Sequence, residues 1–77
     1  MDANIRTFNY INSRIINLYE NDIGVFNIWE DSKGEDLVDI EWADGISTFN
    51  LKKVLGLLKR KGKVTKSELV DECLHWK

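Results

Sequence analysis

The stretch Leu37-Val38-Asp39-Ile40-Glu41-Trp42-Ala43-Asp44-Gly45-Ile46-Ser47-Thr48-Phe49-Asn50-Leu51 decides the fold. Two alternating runs flank Asp44-Gly45, the strongest short-range signal for a two-residue hairpin turn. Such a turn sets Ala43 opposite Ile46, Trp42 opposite Ser47, Ile40 opposite Phe49 and Val38 opposite Leu51. The pleat then gathers Val38, Ile40, Trp42, Phe49 and Leu51 on one face. Asp39, Glu41, Thr48 and Asn50 fall on the other. A one-residue slip would exchange the faces, so the register is well specified.

Upstream of the hairpin, Val25 to Glu30 reads as a first strand. Phe26 and Ile28 share one face and are expected in the core, which leaves Trp29 on the outer face as a binding hot-spot candidate. Asp31-Ser32-Lys33-Gly34-Glu35 follows as a polar loop, so the three strands form a meander with 37–43 in the middle. Before the sheet, Ile5, Phe8, Ile11, Ile15, Leu18 and Tyr19 recur at helical spacing, which predicts a helix from residue 3 to about 20 with Asp2 as its cap. Its other face carries Asn4, Asn9, Asn12 and Asn17, all poor helix formers.

Downstream, Leu51, Val54, Leu55 and Leu58 predict a helix over 50–61, with Lys59, Arg60 and Lys61 at its dipole-favoured end and Gly62 closing it. Gly56 inside this helix suggests a close crossing of another element. Thr65-Lys66-Ser67-Glu68 fits a capping box, with Val64 and Leu69 as a hydrophobic staple. A third helix is expected from Lys66 to about Trp76, with Leu69, Val70, Cys73, Leu74 and Trp76 facing inward. The fold class is therefore α+β, in the order α-β-β-β-α-α: one domain over residues 1–77, a three-stranded antiparallel meander packed against helices.

Composition bounds the function. The apolar fraction is 43% of 77 residues, enough for one small core. A single cysteine excludes a disulfide framework within the chain. Neither a membrane span nor a secretion signal is apparent, so a cytoplasmic protein with no membrane partner is expected. The net charge is −2, but it is lopsided. Nine acids and only Lys33 lie between Tyr19 and Ile46, whereas seven bases and no acid lie between Leu51 and Lys66.

No catalytic pattern emerges. Cys73 and His75 are two apart on a predicted helix and so point to different sides. The Cys and His count does not supply four metal ligands. The acids of 30–44 lack the calcium-loop spacing, and there is no phosphate-binding glycine loop and no nucleophile elbow. No enzyme, cofactor or metal is expected.

Two binding readings follow. In the first, the acids Glu30, Asp31, Glu35, Asp36, Asp39, Glu41 and Asp44, with Trp29, form a surface for a host protein. Its specific form is a small acidic phage or mobile-element inhibitor of a nucleic-acid-handling protein. In element order and size the chain is similar to one of the small acidic anti-CRISPR folds; no motif is shared. In the second, Lys52, Lys53, Lys59, Arg60, Lys61, Lys63 and Lys66 contact nucleic acid directly. Val54 to Asp71 resembles the first two helices of winged-helix regulators of the DeoR type. This likeness covers about a quarter of the chain and implies DNA binding. No base-reading residue is carried over, because the recognition helix would follow this segment. The α-β-β-β-α order also resembles that of double-stranded RNA-binding domains, whose helix-start lysines Lys52 and Lys53 would match. A homodimer that hides Trp29 and the edge strand is a third possibility.

Overall fold

The computed structural model describes residues 3–75. Its elements run α1 (Ala3–Asn12), β1 (Gly24–Glu30), β2 (Asp36–Trp42), β3 (Gly45–Asn50), α2 (Leu51–Lys61) and α3 (Lys66–Cys73). The sheet is antiparallel in the order β1-β2-β3. The α+β meander is thus as the sequence predicts; the differences lie in register and in where helices stop.

The hairpin register is offset by two from the expected one. Trp42 pairs with Gly45, Ile40 with Ser47, Val38 with Phe49 and Leu37 with Asn50. Ala43 and Asp44 form the tip, not Asp44 and Gly45. Anchors outside the hairpin hold that tip: the Ala43 N–H donates to Asp22 Oδ1 at 2.6 Å, and Lys66 Nζ meets Asp44 Oδ1 at 2.8 Å. An offset of two keeps every side chain on its face. It does shorten β3, so Leu51 leaves the sheet and opens α2. Asn50 becomes the N-cap, its Oδ1 accepting from the Lys53 N–H.

In β1 the pairing jumps between Val25 and Asn27, so Phe26 is an extra residue in a β-bulge. The extra residue shifts the alternation. Val25 and Ile28 face the core, where Phe26 and Ile28 were expected, and Phe26 is exposed.

All three described helices pack on one side of the sheet. Val25, Val38, Ile40, Trp42 and Phe49 meet Ile11 and Ile15, Val54, Leu57 and Leu58, and Val64, Leu69 and Cys73. Trp42 and Phe49 pack edge to face, with centroids 6.4 Å apart.

α1 ends eight residues short of the expected limit. At Asn12 the side-chain oxygen turns away to accept the Val25 N–H, and Ser13 to Ile15 close tight turns. The chain then pairs in parallel with the α2–α3 linker: Ile16 N–H donates to Val64 O, and Val64 N–H to Arg14 O. Asn17 sits at φ 60°, a conformation that asparagine tolerates. Of the predicted stripe, Ile11 and Ile15 are buried, Phe8 and Leu18 partly so, and Ile5 and Tyr19 are exposed. The Asp2 cap lies outside the described residues.

α2 closes as expected, with Gly62 donating its N–H to Leu58 O at 2.7 Å. Among the described residues no element crosses Gly56: a Cβ placed there meets nothing within 4 Å. α3 has the full capping box and a buried Val64–Leu69 staple. It stops at Cys73, because Leu74 goes over to an antiparallel bridge with Phe49 and His75 donates its N–H to Thr48 O. Val70 is exposed, contrary to expectation. Trp76 lies outside the described residues.

Candidate functional site

Among the described residues the second face of the sheet is largely open. Register places Trp29, Leu37 and Asn50 across one end of it, Asn27, Asp39 and Thr48 across the middle, and Glu41 and Ile46 at the other end. Among the described residues no helix lies over this face. Trp29 is 41% exposed and Ile46 59%. Leu37 is fully buried although it stands on the open face, between Trp29 and Asn50 in the register. The middle row is locked: Asp39 accepts from Asn27 Nδ2 at 3.1 Å and from Thr48 Oγ1 at 2.7 Å. A sheet ordered in this way presents fixed aromatic and aliphatic side chains around a carboxylate.

The seven acids do not form one surface. Asp39 and Glu41 share the open face with Trp29. Glu30 stands opposite Asp36, and alternation puts both on the helix side, at the end of the sheet. Asp44 is at the far hairpin tip, tied to Lys66, whose ammonium holds the Asp44 carboxyl below the ordinary aspartate range. Asp31 shapes the β1–β2 loop by accepting the Lys33 and Glu35 N–H groups on Oδ1, both at 2.9 Å. Chiefly the Glu35 N–H, and also that of Lys33, holds its carboxyl low. Glu35 Oε2 accepts from Asn50 Nδ2 at 3.2 Å. Its Oε1 lies 3.7 Å from His75 Nδ1.

The basic set is also divided. Arg60 pairs with Glu72 at 3.4 Å, Lys61 with Glu68, and Lys66 with Asp44. Lys52, Lys53, Lys59 and Lys63 are exposed and form no ion pair among the described residues. Lys52 and Lys59 lie about two turns apart on one stripe of α2, with the bare backbone of Gly56 between them.

A concavity of about 440 Å³ opens between residues 16–22, the hairpin tip and the start of α3. Tyr19 and Trp42 form part of its wall, and Lys66 Nζ lies 5.0 Å from the Trp42 ring centroid. Trp42 Nε1 is buried with no acceptor among the described residues. Cys73 is 1% exposed, and burial pushes its thiol up, so it is protected from reagents.

Sequence reasoning placed Trp29, Asp39 and Glu41 on this face. It passed over Leu37 and Ile46, whose parity with Asp39 and Thr48 already placed them on the open face. It also passed over the meeting of His75 with Asp31 and Glu35, which nothing local in the sequence announces. No protein-family model matches the chain, and neither a curated protein nor a solved structure matches it.

Proposed function

We propose that the protein is a non-enzymatic protein-binding module that docks through the open face of its sheet. The observation that carries this reading is the exposure of Trp29 and Ile46 on a face that no described helix covers. Tryptophan is enriched among residues that dominate interfaces, and an ordered strand holds it at small entropic cost. Asp39 and Glu41 beside these residues suit a basic partner groove, the kind of surface a nucleic-acid-handling protein presents. A phage or mobile-element inhibitor that fills such a groove is the specific form of the reading.

The test compares tagged baits for partner capture. A Trp29→Ala/Glu41→Lys bait loses a partner that the wild type holds, and a Lys52→Glu/Lys59→Glu bait keeps it. Asp39 is left intact because its bonds to Asn27 and Thr48 support the sheet. The reverse pattern transfers the function to α2.

The Lys52–Gly56–Lys59 stripe favours a second reading, direct contact with nucleic acid, because exposed cations flank bare helix backbone that a phosphate can approach. Fluorescence anisotropy with labelled duplex DNA, duplex RNA and single strands at two salt concentrations tests it. Binding that collapses with salt and is lost in Lys52→Glu/Lys59→Glu makes this reading the primary one. Absence of binding at low salt removes it.

A further inference from the structure

We propose that Asp31, Glu35 and His75 bind a divalent first-row transition ion of the zinc, cobalt or nickel kind. One ligand atom from each lies within 4.8 Å of the other two. Metal–ligand bonds of about 2.0–2.2 Å place two donors on one ion roughly 3–3.5 Å apart. Half-exposed side chains cover the remaining distance by small torsions.

Three observations set this cluster apart from a casual gathering of surface acids. First, one member is an imidazole brought from the far end of the chain. The Phe49–Leu74 bridge and the His75 N–H bond to Thr48 O, 3.0 Å long, deliver it to the loop. Second, each carboxylate is oriented by a hydrogen bond from a donor outside the set of three ligand atoms. Asp31 Oδ1 takes two backbone N–H groups. Glu35 Oε2 takes the Asn50 carboxamide, which leaves Oε1 on the His75 side. Such outer bonds orient metal ligands in general. Third, the donor set selects the ion. Magnesium and calcium favour all-oxygen sites, whereas an imidazole nitrogen beside two carboxylate oxygens suits the first-row ions. The buried Cys73 thiol does not compete for the ion. Three protein ligands leave at least one position open on the ion for water or for a donor from another molecule. The site does not depend on the docking proposal, although it sits at the Trp29 end of the same sheet.

The test titrates zinc chloride, and separately magnesium and calcium chloride, into the ¹⁵N-labelled full chain. With zinc the expected result is saturable one-to-one shifts of the His75 ring, the Asn50 side-chain amide and the Lys33 and Glu35 amides, with a rise in melting temperature. Magnesium and calcium produce neither at the same concentrations. His75→Gln and Glu35→Gln each weaken zinc binding roughly tenfold or more, and Glu20→Gln leaves it unchanged. Each variant's ¹⁵N spectrum reports its folding, so loss of binding is scored only on folded protein, and either of the two variants suffices. Zinc shifts that fail to saturate, or His75→Gln and Glu35→Gln variants that bind as the wild type does, overturn the proposal.

Discussion

At Gly24 the backbone takes φ +86°, and a Cβ built there would stand 2.6 Å from the Asn12 carboxamide oxygen. Gly24→Ala therefore meets both backbone strain and a clash, with an expected loss of about 1–3 kcal/mol. Gly56 is the opposite case: helical, exposed and unopposed. Gly56→Ala is expected to stabilise by about 0.5–1 kcal/mol, because it removes freedom from the unfolded chain at no folded-state cost. Urea denaturation of both variants checks the opposite signs. The same scale shows where the sequence misled. Asn12 and Asn17 read as poor formers on the solvent side of a long helix, yet one ends the helix by bonding to Val25 and the other turns the chain at positive φ. Both residues carry the signal, but a stripe of six apolar side chains outweighed it. That stripe continued past Asn12 only because Ile15 and Leu18 reach the core from an irregular segment.

Among the elements, α3 depends most on its first turn. Thr65 accepts the Glu68 N–H, and Glu68 accepts the Thr65 N–H at 2.9 Å. Thr65→Ala is expected to cost about 1 kcal/mol, read as a lower urea midpoint with an unchanged slope. Lys61 lies against the Glu68 carboxylate from the end of α2 and, with the Thr65 N–H, keeps that carboxyl below the ordinary value of 4.5. Glu68 and Asp44 are both depressed by the fold, so the native state binds fewer protons than the unfolded chain there. Their contribution is present above their ordinary values of 4.5 and 3.8 and is lost as pH falls below them. Thermal melts between pH 6 and 3 should show Glu68→Gln with a shallower decline than the wild type. The capping box and staple were legible because both are local. The bulge in β1 was not: nothing in Val25-Phe26-Asn27 marks an extra residue, and the choice between Phe26 and Val25 is made by Asn12 and Ile40 across space.

For the whole molecule, the sequence defined two faces of a hairpin and therefore the open surface with Asp39 and Glu41. It did not define which acids join them, because Asp31 is taken up by loop backbone and Asp44 by Lys66, a partner far along the chain. His75 reached the acidic loop only through tertiary pairing with β3. The sheet's other margin has a consequence for behaviour at high concentration. Strand margins with unsatisfied backbone groups invite stacking with neighbouring copies. Here the outward Val25 N–H is occupied by the Asn12 carboxamide, and the bulge at Phe26 interrupts the row just after it. Asn12→Ala would uncover a longer run beside the exposed Phe26 and Trp29. Its expected effect is slow growth of light scattering and thioflavin fluorescence in concentrated solution, where the wild type stays clear. On that outcome, a neutral side chain at the end of a helix would be the chain's guard against polymerisation into fibres.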